Sequence, residues 1–501
     1  MDASPDERAQ RLLARAAARG ERVPDEDRLL DWLAAPASEA EHVGRYLTEI
    51  WSERVDLQEA FPGLHLDADQ RERFLLWAHH FAAVEAGAPE SLLPAAPDTA
   101  HDLAAPARIS GRPPIFRRGL TVVGYLRAVL GLGGSARRLA HLARMAGEEV
   151  REIAYDHTTS PLDHPWSAAA AAAAAGDATQ LDIVALCVNG AQTERLTRAL
   201  GPAALQGRYR IGLWFWELEH FPPDQAAGFA HVDEVWVTSP FVADAIRAAA
   251  PDRVGVHIIP LGTDVAIDHV ARGDDITRAQ LGLPEGVLLG ITFDYASRVA
   301  RKNPLGLIDA FCRAFPNSFE LGRRGPFLVL KTLNNALHPE DAAAVQRAAA
   351  AHGRDDIVVI DRQFAFAEQR AFLRELDVLV SLHRSEGYGN SLLEAMGHGH
   401  PVIATGYSGN LAFMTDANSW LVPATLVPVP AGTGIYDVDA RWADPDLDEA
   451  ARAMREVALG LETPHVRRRA DRARTDVAAE LDGRAGAAFI LARLATIRAA
   501  R

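Results

Sequence analysis

The feature that most constrains the fold is a strand–turn–helix pattern that begins at Gly119 and starts again at Val287. Strands that alternate with helices favour a doubly wound parallel sheet, because the crossover helices must cover its faces. With 501 residues, the chain is long enough for two such domains and an additional module. The predicted strands are 120–125, 182–188, 209–216, 234–238 and 254–260 in the first run, and 287–292, 327–331, 357–360, 378–382 and 401–405 in the second.

The first 110 residues have a different pattern, which predicts helices followed by a linker. Apolar residues recur at helical spacing in 27–33, 41–51 and 69–86, and the stretch 92–108 is rich in proline and alanine. We therefore divide the chain into four parts. These are a helical module with its linker (1–110), a first sheet domain (111–270), a second sheet domain (271–482) and a C-terminal helix (483–501).

Composition restricts the class of partner. The net charge of −15 argues against nucleic acid or an anionic membrane surface as the main partner. The two cysteines, Cys187 and Cys312, lie in apolar segments and are expected to be free thiols in a reducing cytoplasm. The N-terminus has no apolar signal core, and no run reaches the ~20 apolar residues of a membrane span. The sequence predicts a cytoplasmic protein without an integral membrane segment.

The segment 385–397 carries the strongest chemical signal. It follows an apolar run at 376–383 that is typical of a buried parallel strand, and it begins with a glycine-broken turn. Asn390 or Ser391 can cap a helix that begins near Leu392 and holds Glu394 in its first turn. Backbone N–H groups at such a helix end suit a phosphate group, while Glu386 and Glu394 can accept hydrogen bonds from ligand hydroxyls. This combination suits a sugar nucleotide.

The two glutamates are separated by seven residues, which resembles the signature of family-4 retaining glycosyltransferases, also called glycosyl transferases group 1. The resemblance continues through 395–410. It implies the GT-B fold, in which two Rossmann-like, doubly wound parallel-sheet domains face a cleft, and a C-terminal helix that packs back on the first domain. It also implies that Glu394 binds the ribose hydroxyls and that Glu386 faces the donor sugar. The implied backbone contacts to sugar and phosphates are Gly387, Gly389, Asn390 and Ser391.

A basic cluster lies at the exit of the predicted strand 287–292. Preorganised cations there would stabilise the charge that grows on a departing nucleoside diphosphate. The resemblance, here to a bacterial subgroup with an Arg-Lys-Asn-Pro motif, implies that Lys302 is one such cation. The family commonly has an arginine five or six residues before its lysine, where this chain has Ser297 and Ala296. The partner is therefore Arg301 or Arg298, with Ser297 as a further candidate donor contact.

Two further motifs follow strands of the first domain. A glycine-rich segment at 131–135, ahead of a predicted helix at 136–146, is either a structural turn or a phosphate loop. The resemblance favours Gly133 and Gly134 as contacts to the donor pyrophosphate or the acceptor. The second motif follows the strand 209–216. Many family members have a histidine near this point, close to the reacting carbon, and either Glu217 or His220 can hold that position.

The resemblance implies that the donor is a nucleotide-diphosphate sugar, UDP- or GDP-linked, and that the acceptor offers a hydroxyl group. No other cofactor and no metal are expected. The two Asp-x-Asp sequences, at 67–69 and 437–439, do not follow predicted sheet strands, as metal-binding ones in other glycosyltransferases would. Two alternatives remain open: a nucleotide-sugar epimerase of the same architecture, and a catalytically silent sugar-nucleotide-binding partner protein.

Overall fold

The chain forms two compact units in a computed structural model. One unit comprises Met1–Ala105 with Asp156–Pro161, and the other comprises Pro106–Tyr155 with Leu162–Arg501. The residues that the structure describes are 5–21, 24–37, 42–54, 57–58, 61–66, 68–86, 88–94, 116–158, 162, 181–263, 276–317, 325–351, 353–430, 433, 436 and 440–501.

The described part of the smaller unit consists of helices around an aromatic core. Phe74 stacks on Trp77 with ring centroids 5.5 Å apart, and the ring of Phe61 meets that of Phe74 edge-on at 5.5 Å. The buried Arg8 guanidinium donates to the Ala86 carbonyl at 2.9 Å, which ties the first helix to the last. The helices are α1 (Pro5–Ala18), α2 (Leu29–Ala34), α3 (Arg45–Glu53) and α4 (Ala68–Ala86). The last three lie where apolar spacing predicts them.

The larger unit contains two sheets of six parallel strands each, which confirms the predicted pair of doubly wound domains. The first sheet has the strand order β2-β1-β3-β4-β5-β6, and the second has the order β12-β11-β10-β7-β8-β9. Both sheets bury apolar residues on both faces, which is the normal condition of parallel sheets covered by helices. The strands of the first sheet are β1 (Arg117–Gly124), β2 (Val150–Ala154), β3 (Leu181–Cys187), β4 (Tyr209–Leu213), β5 (Glu234–Val237) and β6 (Gly255–Ile258). Those of the second sheet are β7 (Leu288–Asp294), β8 (Phe327–Leu333), β9 (Ile357–Ile360), β10 (Val378–Ser381), β11 (Val402–Thr405) and β12 (Trp420–Val422).

One predicted boundary in the first domain is wrong. Helix α5 (Gly131–Met145) already begins at Gly131, so the glycine-rich segment is the first turn of the helix and not a loop before it. The reason is close packing against the exit of β1. A Cβ on Gly133 would lie 2.5 Å from the Tyr125 carbonyl oxygen and 2.7 Å from that of Ala128. Only glycine lets the helix start so near this backbone.

Further helices cover the first sheet and connect its strands. They are α6 (Gly190–Leu200), α7 (Pro202–Leu205), α8 (Pro223–Ala226) and α9 (Pro240–Ala249). The second domain contains α10 (Arg278–Leu281), α11 (Val299–Lys302), α12 (Pro304–Ala314), α13 (Pro339–Ala350), α14 (Phe366–Glu375), α15 (Asn390–His398), α16 (Leu447–Gly460) and α17 (Pro464–Leu481). The described part of the chain contains no helix that is both long and apolar enough to cross a membrane.

Two elements were not anticipated in the second domain. Strand β12 extends the sheet beyond β11, and an antiparallel hairpin follows it, formed by β13 (Ala424–Pro428) and β14 (Arg441–Pro445). The last helix, α18 (Arg484–Ala499), packs against the first sheet, where Ile490, Leu494 and Ile497 join its apolar core.

Candidate active site

The loops at the carboxyl ends of the two sheets are in direct contact. The Ser239 hydroxyl, just after β5, donates to the Gly387 carbonyl at 2.7 Å. The Ser385 hydroxyl donates to the carbonyl of Glu217, which follows β4. Open parallel sheets bind ligands beyond the carboxyl ends of their strands. The contact therefore brings the loop after β10 to the ligand-binding edge of the first sheet.

The helix that follows this loop begins two residues earlier than predicted. Gly389 is its N-cap, with φ of 99° in the left-handed region that favours glycine, so Asn390 and Ser391 are its first two residues. The prediction that one of them caps a helix beginning near Leu392 is wrong. Glu394 is consequently the fifth residue of α15, beyond its first turn, and its side chain is half-buried.

Two helix N-termini meet at this point. A Cβ built on Gly131, the first residue of α5, would lie 3.9 Å from the Asn390 side-chain nitrogen at the start of α15. Gly133 and Gly134 are buried in the first turn of α5. Each helix start presents N–H groups without intrahelical partners and the positive end of its dipole. Together they form a place that favours an anion such as a diphosphate.

A buried ionic cluster lies on the loop before α15. Lys302, the last residue of α11, donates from Nζ to one carboxylate oxygen of Glu386. Arg301 Nη1 lies 3.3 Å from the other Glu386 oxygen and donates to the Ser385 carbonyl at 2.8 Å. The side chains of Arg301, Lys302 and Glu386 are 4%, 18% and 13% exposed, so all three are largely removed from water.

Of the two candidate arginines, Arg301 is the one whose side chain the fold brings to Glu386, the partner of Lys302. Arg298 is the N-cap of α11 with φ of 64°, and its carbonyl accepts a hydrogen bond from the Arg301 N–H at 3.0 Å. Ser297 ends the short 3₁₀ turn before it, and the side chains of both residues are half-buried. Arg298 therefore shapes the backbone that delivers Arg301.

Burial and the neighbouring charges shift the pKa of each member of the cluster. Burial by itself would raise the pKa of Glu386, but Lys302 and Arg301 lower it to about 2. Burial lowers the pKa of Lys302, an effect that the charge of Glu386 opposes. Burial also acts to lower the pKa of Arg301, but Tyr436 and Glu386 outweigh it, and the pKa is raised. Glu386 is thus an anion throughout the neutral range, and Arg301 is a permanent cation.

Glu217 and His220 have different positions. A Glu217 carboxylate oxygen lies 3.9 Å from Arg301 Nη2, next to the cluster. His220 is exposed, and its carbonyl accepts the indole N–H of Trp216 at 2.6 Å. The structure therefore brings Glu217 to the cluster, whereas His220 acts through its backbone on the preceding turn.

Several residues that hold the loop were missed by sequence reasoning. The Ser408 hydroxyl accepts the Glu386 N–H at 2.8 Å. The buried His383 lies between Ser381 Oγ, 3.1 Å from its Nδ1, and Asn410 Oδ1, 3.2 Å from its Nε2. Burial lowers the pKa of His383. The one available signal was the polar Ser381 and His383 directly after the apolar run 378–380.

Of the two Asp-x-Asp sequences, Asp67, Asp437, Asp439 and the side chain of Asp69 lie outside the described residues. Within the part of the chain that is described, no group of three or more His, Cys, Asp or Glu side chains could hold a metal ion.

A family match and several solved structures bear on this site. Residues 334–428 match the family model described as Glycosyl transferases group 1. The matched stretch contains Glu386 and Glu394 and ends before the hairpin strand β14. A comparison with curated proteins gave no match.

Solved structures resemble the larger part of the chain. Sucrose-phosphate synthase from Thermosynechococcus elongatus is 18% identical with a TM-score of 0.52, covering 77% of this chain and 100% of that one. A glycosyltransferase from Rickettsia africae is 14% identical with a TM-score of 0.51, covering 76% and 99%. Anabaena HepE in complex with UDP and glucose is 15% identical with a TM-score of 0.50, covering 76% and 100%. At these identities the likeness establishes the fold, which is GT-B. The fold and the matched domain together support a glycosyltransferase of the GT-B class.

Proposed function

We propose that this chain is a retaining glycosyltransferase. It moves a hexosyl group from a UDP- or GDP-sugar to an acceptor hydroxyl on a glycan, a glycolipid or a small-molecule metabolite. The observation that carries the proposal is the buried cluster of Arg301, Lys302 and Glu386 beside two converging helix N-termini. The presence of UDP and glucose in the HepE structure supports the same class of donor here.

Each part of the donor is bound by protein groups of complementary charge or hydrogen-bonding type. Its diphosphate lies at the starts of α5 and α15, where helix N–H groups and the cations of the cluster neutralise it. Glu394, one turn into α15, accepts hydrogen bonds from the ribose hydroxyls. Glu386 accepts from hydroxyls of the sugar, and the backbone of Gly387 and Gly389 lets the sugar approach closely.

In the reaction, the bond between the anomeric carbon and the phosphate oxygen breaks while the acceptor oxygen bonds to that carbon. The electron pair of the broken bond stays on the phosphate oxygen, which takes up the acceptor proton. Lys302 and Arg301 stabilise the charge that develops there, in a site where little water competes. Attack on the face that the leaving group vacates retains the anomeric configuration.

Thermal unfolding in the presence of UDP, GDP and their sugars tests donor binding. A ligand at one hundred times its dissociation constant stabilises a protein by ~2.7 kcal/mol, which is a readily measured shift. Product analysis with the stabilising donor and a panel of hydroxyl acceptors then identifies the reaction. The anomeric configuration of the product is read by NMR.

Each alternative has its own outcome in these experiments. Conversion of the donor sugar in the absence of an acceptor would indicate an epimerase. Stabilisation without any conversion would indicate a binding partner protein. If no nucleotide or nucleotide sugar stabilises the chain, the proposed function is wrong.

A further inference from the structure

An open cavity lies beside the ionic cluster, where the two sheet domains meet. Its volume is about 520 Å³. One wall is formed by Glu219, which follows β4, and by the first two turns of α9, which follows β5. The opposite wall belongs to the segment 407–412, which follows β11. All of these segments leave the carboxyl ends of parallel strands, where open sheets bind ligands.

The two walls are joined by one hydrogen bond and one contact between rings. The Tyr407 hydroxyl donates to Glu219 Oε1 at 3.0 Å. The ring centroid of Tyr407 lies 5.5 Å from that of Phe241, with the two planes at 73°. Burial and the hydrogen bond to Glu219 raise the pKa of Tyr407, so the phenol is protonated at neutral pH. The Glu219 carboxylate is thereby held at the cavity, and its other lone pairs can accept from the hydroxyls of a ligand.

Ser408 connects the cavity to the ionic cluster. It lines the cavity, and its hydroxyl accepts the Glu386 N–H at 2.8 Å. Its backbone has φ of 79° and ψ of −151°, a combination that residues other than glycine rarely adopt. Backbone strain of this kind persists only where the surrounding structure enforces it, and it is concentrated at ligand-binding sites. A ligand in the cavity would lie against the segment that holds Glu386, the residue assigned above to the donor sugar.

The cavity differs from the diphosphate site in charge. Among the described residues of its lining, two are carboxylates, Glu219 and Asp244, and none is lysine or arginine. Asp244 pairs with Arg247 at 3.3 Å, which leaves Glu219 as the carboxylate without a cationic partner in the lining. Phe241 and the exposed Leu411 add apolar surface. Such a lining repels a phosphate and suits an uncharged molecule that combines hydroxyl groups with an apolar face.

We propose that this cavity binds the acceptor and that the acceptor is an uncharged sugar. The proposal rests on the proposed function. Hydroxyls of the sugar donate to Glu219, and its C–H face packs on Phe241 and Leu411. Charge then separates the two substrates. The anionic donor binds at the cations and helix starts, and the neutral acceptor binds on the acidic side of Ser408.

A comparison of matched acceptors tests the charge selectivity. Initial rates of transfer are measured with the methyl glycosides of glucose, galactose, mannose and N-acetylglucosamine, and with the 1-phosphates and 6-phosphates of the same sugars. We expect at least one neutral glycoside to be used at least tenfold more efficiently, in kcat/KM, than either of its phosphates. Glu219→Lys reverses the charge at the cavity and should reduce its preference over the 1-phosphate at least fivefold. Glu219→Gln, which keeps the shape of the side chain, should reduce it in the same direction.

Two further variants test the binding role of the walls. Glu219→Gln should raise KM for the neutral glycoside about tenfold, the scale of one hydrogen bond to a charged group. Tyr407→Phe, which keeps the ring and releases Glu219, should raise this KM about threefold. KM for the donor and nucleoside diphosphate affinity should stay near wild type in both. Tyr209→Phe is the matched control, because the Tyr209 hydroxyl also donates to a glutamate, Glu234, at 2.9 Å. It should leave the acceptor KM unchanged.

Three results would overturn the proposal. They are an unchanged acceptor KM in Glu219→Gln, equal use of a neutral glycoside and its 1-phosphate by the wild type, and a wild type that binds nucleotide but transfers to none of the neutral glycosides. Because Glu219 is exposed, both of its variants are expected to fold, and melting temperatures check this. A wild type that no nucleotide or nucleotide sugar stabilises would count against the proposed function instead.

Discussion

Two buried carboxylates, Glu386 and Glu234, each form ion pairs with arginine, but the surroundings of the two pairs differ. The Glu234 side chain is fully buried on β5 and accepts from the Trp236 indole at 2.6 Å and the Tyr209 hydroxyl at 2.9 Å. Arg493 of α18 donates to both of its oxygens. All of these partners belong to the first sheet or to the helix that covers it. This cluster joins the last helix to the sheet, and His257 Nε2 of β6 lies 3.7 Å from one of the Glu234 oxygens.

The Glu386 cluster lies in a different setting. It contains two cations, Arg301 and Lys302, and its second carboxylate, Glu217, is 25% exposed and 3.9 Å from Arg301, too far for a hydrogen bond. Arg301 Nε is buried without a hydrogen-bond partner in the described structure. Two helix starts add positive potential nearby. A buried group of this kind is suited to an anion that arrives later, whereas the hydrogen-bond partners of Glu234 all lie on the first sheet or on α18.

Among the variants that test this comparison, Lys302→Ala should have the largest effect. If Lys302 stabilises leaving-group charge, kcat should fall by about a hundred- to a thousandfold, or ~3–4 kcal/mol, with a much smaller change in donor affinity. Steady-state kinetics and calorimetry with the nucleoside diphosphate measure the two effects separately. Turnover at the wild-type level would remove Lys302 from the chemistry.

The acid stability of the Glu386 cluster is a second test. The pKa of Glu386 is lowered from 4.5 to about 2, so its ionised form stabilises the folded state above pH 4.5, and this contribution is lost as the pH falls toward 2. This contribution to the free energy of unfolding is on the order of 3 kcal/mol. Urea unfolding of the wild type and Glu386→Gln should therefore give free energies that differ most at neutral pH and converge near pH 2. Parallel curves over this range would contradict the ionic account of the cluster.

Glu394→Ala sharpens the role assigned to α15. Removing the acceptor for the ribose hydroxyls should weaken binding of the free nucleoside diphosphate by ~1.5–3 kcal/mol. Glu386→Ala should instead act mainly on turnover, because Glu386 is proposed to contact the sugar. Isothermal titration of both variants compares them directly, and an unchanged dissociation constant in Glu394→Ala would reject the ribose assignment.

Arg493→Ala tests the Glu234 cluster, for which we expect a loss of stability without a loss of turnover. It leaves Glu234 buried without its cation, and the arginine side chain is 25% exposed, so we expect a stability loss of about 2 kcal/mol. kcat, measured below the lowered melting temperature, should match the wild type. A large loss of turnover in a folded variant would show that the two clusters are not separate in function.

The smallest expected effect is that of a chelator. Since the cations of the cluster and two helix starts are available to neutralise the diphosphate, we expect transfer to persist in EDTA. The assay compares initial rates with EDTA, with added magnesium and with added manganese. Loss of transfer in EDTA that either ion restores would assign charge neutralisation to a metal.

Much of the fold could be predicted from the sequence because buried parallel strands are continuous apolar runs. Strand β9 was predicted at its observed bounds because its four residues form an uninterrupted apolar run, although it is an edge strand. The edge strand β2 was not predicted, since Arg151 and Glu152 interrupt its apolar residues and four of its five residues are only half-buried. The hairpin β13–β14 lacks an alternating pattern, so its existence depended on contacts with Arg384 and its neighbours.

The sequence by itself determined that one short segment places Glu386 and Glu394 on either side of a glycine-containing turn and a helix start, although the cap at Gly389 was not predicted. Neighbours along a chain share a local geometry, so their relative positions follow from local rules. Only the tertiary structure decided that Arg301 rather than Arg298 meets Glu386 and that Glu217 lies nearer the cluster than His220 does. Those pairings depend on how loops from different strands pack, because a contact between residues far apart in sequence is selected by the burial and charge of the whole assembly.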